Sequence, residues 1–167
     1  MLPSLANERR ARRVSRAFDE RGRTVAWMAR TILRLYNATA QKVLDREGMS
    51  IAHWYYLRVL SQHGTLNQLE LSKRVAIAPT TAVTALDALE KRGLVRRARD
   101  TNDRRKQFVS LTDEGARLID ALMPDIEKLM AASVQGIPAT DMRAFWDVLH
   151  KIHDNLSEAA GDESVLD

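Results

Sequence analysis

Apolar residues recur along the chain with two different periods. From Thr24 onward Val25, Met28, Ile32, Leu35, Thr39 and Val43 follow steps of three and four, which predicts a first helix. Gly48 stands where a C-cap glycine would close it. Ser50 is placed to N-cap a second helix, Ile51 to Gln62. This helix holds Trp54, Tyr55, Tyr56, Leu57, Val59 and Leu60, so it is apolar on more than one face and should be central. His63 and Gly64 end it. Asn67 followed by Glu70 has capping-box spacing for a third, short helix from Gln68 to Val75. Pro79 suits the first turn of a fourth helix that runs to Lys91 and closes at Gly93.

The period then changes. "LVRRAR" and "QFVSLT" read as two strands, with Val109 and Leu111 alternating, around the highly charged tip "DTNDRRK". Thr112 is a good N-cap for a fifth helix carrying Leu118, Leu122, Ile126, Leu129 and Met130. Pro124 inside it removes a backbone donor, so a kink or break is expected there. Gly136 and Pro138 end that helix, and Thr140 is placed to cap a sixth. In the sixth, Met142, Phe145, Leu149, Ile152 and Leu156 alternate spacings of three and four, a seam suited to another helix. The chain is thus mainly α with a small β-hairpin. Two short helices joined by a tight turn and followed by a hairpin are the pattern of a winged helix-turn-helix.

Composition narrows the chemistry. With 167 residues and 45% hydrophobic residues the chain can bury one ordinary core. It has no cysteine, which excludes a disulfide framework, a Cys-ligated metal and a thiol nucleophile. There is no apolar run long enough to span a membrane, and the Arg-rich start lacks the apolar core of a secretory signal, so a cytoplasmic setting fits. The net charge of +4 is segregated. Residues 1–24 carry seven bases and three acids, residues 91–106 eight bases and two acids, and residues 110–167 four bases and twelve acids. Two basic blocks and an acidic C-terminal third suggest one part that binds a polyanion and another that avoids it.

The fourth helix has Ala82, Leu86 and Leu89 on one face and Thr80, Thr84, Asp87 and Lys91 on the other, with Thr81 and Ala88 on the flank. A merely solvated face usually carries longer charged side chains. A small, hydroxylated first turn suits close approach to base edges, because threonine can hydrogen-bond several bases and its methyl can touch that of thymine. Arg96, Arg97, Arg99, Arg104, Arg105 and Lys106 follow on the hairpin. They could neutralise phosphates. Not all can be contacts, since strand alternation sends Arg96 and Arg97 to opposite faces, and a charged hairpin that keeps a sheet edge soluble explains the basic strand residues well. Edge protection does not account for the Asp-x-Arg spacing at the tip.

Residues 69–115, "LELSKRVAIAPTTAVTALDALEKRGLVRRARDTNDRRKQFVSLTDEG", resemble the core of the MarR family of bacterial transcription regulators. "ALEKRGLV", the D-x-R of the wing and "LTDEG" carry the likeness, and "HWYYLRVL" upstream is similar to the family's second helix. The resemblance implies a homodimer on palindromic double-stranded DNA, a recognition helix in the major groove and a wing in the adjacent minor groove. It places Arg105 in the minor groove, with Asp103 orienting it, and a narrow minor groove does attract Arg. Where many relatives carry Arg in the recognition helix this chain has Thr84, which implies readout leaning on thymine methyls, water and DNA shape. The expected DNA contacts are Thr80, Thr81, Thr84, Arg99, Asp103, Arg104, Arg105 and Lys106.

The resemblance also implies a small-molecule effector, of the aromatic carboxylate, phenol or thioester class. The nearest candidates by helix are Trp27, Tyr36, His53, Trp54 and Tyr56, for each of which ordinary core packing is an equal reading. The implied organisation is a basic arm over residues 1–23, a helical dimerisation region over 24–48 and 112–158, a winged lobe over 50–111 and an acidic tail over 159–167. Met142, Phe145, Leu149, Ile152 and Leu156 would form the dimer seam. The arm could touch flanking phosphates or cap the dimer against the acidic third.

Rival readings find less support. His150 and His153, flanked by Asp147 and Asp154, could share a metal in a metal-responsive regulator, but Leu149 and Ile152 already define the apolar face. No phosphate-binding glycine loop, HExxH or nucleophile elbow is present, so no catalytic residue, cofactor or metal is assigned. A winged-helix module acting through protein–protein contacts is the remaining alternative to a DNA-binding repressor.

Overall fold

A computed structural model describes residues 18, 19, 21–75, 79–99 and 107–161, with only the backbone at 79–81. Helix α1 is Val25–Leu44. Its N-cap, Thr24, accepts a hydrogen bond from the Trp27 amide at 3.1 Å. A 3-10 turn, Asp45–Glu47, extends it to Gly48, whose φ of 58° supplies the left-handed stop. Helix α2, Ile51–His63, opens on a full capping box in which Ser50 and His53 satisfy each other's backbone amides. Gln41 joins the two helices. Its amide nitrogen donates to Asp45 Oδ1 and to the Met49 carbonyl, both at 2.7 Å, and its oxygen accepts from the Ile51 amide at 2.9 Å. Tyr55 adds a second link, donating its hydroxyl to Asn37 Oδ1 at 2.7 Å.

A two-residue strand β1, Leu66–Asn67, precedes helix α3, Gln68–Val75. Asn67 Oδ1 caps α3 through the Glu70 amide at 2.9 Å, as the spacing predicts. Helix α4 spans Pro79–Lys91, strand β2 Val95–Arg99 and strand β3 Gln107–Leu111. The sheet is antiparallel in the order β1-β3-β2, with Leu66 opposite Val109 and Arg97 also opposite Val109 from the other side. The predicted hairpin is therefore a three-stranded sheet among the described residues. Two residues are too few for an alternating pattern to reveal β1 in sequence, and only its pairing with β3 identifies it.

Helix α2 is central, as its all-round apolar character predicts. It packs on α1, α3, α4 and β3. Trp54, Tyr56, Leu57 and Leu60 from it, Leu71 from α3, Ala82, Leu86 and Leu89 from α4, and Val95 and Val109 from the sheet form one buried cluster. The buried Tyr56 hydroxyl lies near Ser72, whose own hydroxyl donates to the Gln68 carbonyl at 2.8 Å; among the described residues no well-formed hydrogen bond reaches the tyrosine oxygen.

Helix α5, Asp113–Ser133, starts at Thr112 as expected. Thr112 Oγ1 accepts from the Gly115 amide at 3.1 Å and donates to the Gly93 carbonyl at 2.6 Å, tying the helix start to the end of the preceding turn. Gly115 is required here because a side chain would overlap the Leu94 carbonyl oxygen. The expected break at Pro124 does not occur, and α5 runs through it. Pro124 lies on the exposed side, so water can satisfy the carbonyl that loses its helical partner.

Helix α6 is Ala139–Ala160, and its N-cap position is Pro138, not Thr140. Thr140 sits inside the first turn, where its hydroxyl donates to Asp141 Oδ1 at 3.2 Å. A proline fits this boundary because the first amides of a helix lack intrahelical partners. None of the residues of α6 is buried. The chain divides into two units, Met1–Leu129 and Met130–Asp167. Among the described residues no helix is long and apolar enough to cross a membrane.

Candidate nucleic-acid interface

Helix α4 is held by its buried face. Ala82, Ala85, Leu86 and Leu89 are packed inside, which fixes the rotation of the helix and decides what it shows to solvent. Thr84 is exposed, as the helical wheel predicts, and so is Val83 beside it. Thr80 and Thr81 lie in the first turn of the helix.

Asp87 is also exposed, but it is not free. Its carboxylate meets Arg97 Nη2 of β2 at 2.6 Å. Glu90 joins the same guanidinium at 3.7 Å and accepts from the Arg97 backbone amide at 3.2 Å. The Arg97 side chain is only 13% exposed. Strand alternation sends Arg96 to the other face, where its Nε donates to Ser110 Oγ at 3.0 Å. The basic block is thus divided by function. Arg97 locks the wing strand to α4 and is not available to a phosphate. Arg99, at the end of β2 opposite Gln107, is exposed. The expected contacts at Asp103, Arg104, Arg105 and Lys106 lie outside the described residues.

Arg92, just past α4, reaches back to α1. It donates to the Gly48 carbonyl at 3.0 Å and to the Glu47 carbonyl at 2.8 Å. A cation is well placed there, because these carbonyls close the C-terminal end of a helix. Burial, and then the nearby Arg92 charge, hold His53 below the usual histidine range. Neither Arg92 nor Gln41 stands out in sequence, since each is one polar residue in a polar stretch. The pairing of Asp87 with Arg97 spans ten positions and two element types, so no helical or strand periodicity signals it.

The five effector candidates fall in different environments. Trp54 and Tyr56 are core side chains. Tyr36 and His53 are half-buried. Trp27 is exposed, with the Arg23 guanidinium 5.4 Å from its ring centre. Of the seam residues on α6, Phe145 and Leu156 are exposed and Met142, Leu149 and Ile152 are half-buried. His150 packs near Trp146, with ring centres 6.1 Å apart, and His153 Nδ1 lies 3.4 Å from its neighbour Asp154. Among the described residues no three His, Asp or Glu side chains gather as a metal site.

Known proteins share this arrangement. The sequence model of the MarR family matches residues 49–106. An uncharacterized HTH-type transcriptional regulator of Staphylococcus aureus strain Mu50 is 30% identical over 135 residues, covering 80% of this chain and 92% of its own length. A solved MarR family transcriptional regulator from Silicibacter pomeroyi is 32% identical, covers 78% of this chain and 88% of its own, and superposes with a TM-score of 0.70. Staphylococcus aureus MarR, solved in complex with salicylate and kanamycin, is 29% identical over 77% of this chain and 87% of its own, with a TM-score of 0.69. The shared sequence and fold lead to one assignment: this chain belongs to the MarR family of winged helix-turn-helix, DNA-binding transcription regulators, and not to an enzyme family.

Proposed function

We propose that the chain works as a homodimer that represses transcription from a palindromic operator and is released by a small aromatic acid or its thioester. The observation that carries this reading is the outward face of α4, which is small and uncharged at Val83 and Thr84 while its only acids are engaged by Arg97. Thr80, Thr81 and Thr84 would meet base edges. Arg105, oriented by Asp103, would enter the minor groove, with Arg99, Arg104 and Lys106 on phosphates. Residues 24–48 and 112–158 would form the dimerisation region around the lobe at 50–111. The seam of Met142, Phe145, Leu149, Ile152 and Leu156, none of it fully buried among the described residues, supports it, since such a stripe gains most from a second helix.

The salicylate complex of the Staphylococcus aureus MarR protein supports the effector class. Tyr36 on α1 and His53 at the start of α2, both half-buried, are the better placed of the five candidates, and Trp27 is exposed in the first turn of α1. Trp54 and Tyr56 would contribute only through the core behind them. Linkage requires that an effector weaken DNA binding by the factor by which DNA weakens effector binding.

Binding to duplexes from the promoter region beside the chain's own gene, measured across a salt series, tests the reading. Affinity should fall steeply with salt, and Arg105→Ala should make the log–log slope shallower by about one per half-site contact. Binding no tighter than to unrelated DNA, or a slope that Arg105→Ala leaves unchanged, would count against it.

A further inference from the structure

Sequence-specific helices commonly read guanine with Arg or Lys and adenine with Asn or Gln, using paired hydrogen bonds. Helix α4 has none of these from Pro79 to Glu90, and its one Lys is the last residue, Lys91. Its two acids could accept from cytosine, but both carboxylates are turned to Arg97 of β2. The helix is therefore left with hydroxyls and methyls as its reading chemistry.

Among the described residues of α4, Val83 is the large apolar side chain that the core does not take. It is 45% exposed, while Ala82 before it and Ala85 and Leu86 after it are buried. It stands one turn before Asp87 and next to the exposed Thr84. Val83 is also short and β-branched, so its rotamer is fixed by the helix and its two methyls are presented with little freedom to lose. A long flexible apolar side chain could fold back onto the lobe, whereas this one cannot.

We propose that Val83 is a specificity-determining residue that reads the C5 methyl of a thymine in the major groove. The inference rests on the DNA-binding reading above and goes beyond it by naming a base and the group recognised. The operator half-site then contains a thymine whose methyl is packed against Val83. Uracil at that position keeps every hydrogen-bonding group of the A·T pair and removes only that methyl.

The test begins with the full chain and a pool of randomised duplexes, from which bound sequences are enriched. Each thymine of the enriched half-site is then replaced singly by uracil. At one position per half-site uracil should weaken binding about fourfold, the size expected for one methyl returned to water. In Val83→Ala that penalty should disappear, while Thr84→Ala should retain it. Enriched sites that tolerate uracil at every position, or a penalty that survives in Val83→Ala, overturn the assignment of Val83 and leave the DNA-binding reading intact. A pool that yields no enriched sequence overturns both.

Discussion

Helices α4 and α6 are both amphipathic, yet among the described residues only α4 buries its apolar face. In α4 the apolar face, Ala82, Ala85, Leu86 and Leu89, is buried against α2 and the sheet. In α6 an apolar stripe of similar residues ends with no residue buried, and Phe145 and Leu156 stand 46% and 64% exposed. The same sequence signal, apolar residues every three to four positions, therefore has two outcomes. Where sheet and helices surround the stripe, burial stabilises the lobe by itself. Where the stripe stays partly exposed among the described residues, it stands to gain from a second helix.

This contrast can be broken at its two ends. The largest effect is expected at the seam. Leu149→Asp places a charge among apolar side chains that the proposed dimer would bury, and the mass by light scattering should fall from two chains to one. A two-chain mass in this variant would show that α6 is not the interface. Leu86→Ala acts in the other region. It should cost about 3 kcal/mol, the range of buried leucine truncations, and the loss in urea unfolding should not depend on protein concentration. A loss well under 1 kcal/mol would mean that the lobe repacks around the missing side chain.

The smallest effect concerns the junction that joins α1 to the lobe. His53 sits below its ordinary value of 6.5 because of burial and then Arg92. As pH falls through that ordinary value the unfolded chain takes up the proton first. Stability is therefore full above it, declines as pH drops toward the folded value, and levels off below. His53→Gln keeps the reciprocal cap with Ser50, since Gln serves at that position, but cannot titrate. Its urea midpoint should fall less than that of the wild type between about pH 7.5 and pH 5. Parallel losses in the two proteins would place the acid sensitivity elsewhere.

Much of the fold was legible before the structure. The caps expected at Ser50, Asn67 and Thr112 are all made, and α2, α3 and α4 occupy the expected spans with at most one residue of difference. These are local devices, in which a side chain bonds a backbone amide three positions on, so adjacent residues suffice to reveal them. The failures are equally physical. Of the kink or break expected at Pro124, no break occurs, because its exposed position lets solvent replace the missing bond. Thr140 has the right chemistry for a cap, yet Pro138 two residues earlier already sets the boundary. The candidate site divides in the same way. The small outward face of α4 follows from a helical wheel, whereas the capture of Arg97 by Asp87 and Glu90 does not, because it depends on how β2 lies beside the helix.

By itself, the sequence determined the order of the six helices and the two hairpin strands, the family, the polarity of the helix faces and the small, uncharged first turns of the fourth helix. All of these depend on residue type and on spacing within a few positions. Tertiary structure alone decided that Arg97 is a clamp and not a free cation, that Gly115 must lack a side chain beside Leu94, and that Val83 remains outside the core that takes its neighbours. Each of these depends on two segments meeting in space. Only the packed core, by fixing the rotation of α4 and the placement of the wing strand, sets which side chains meet and which are left exposed.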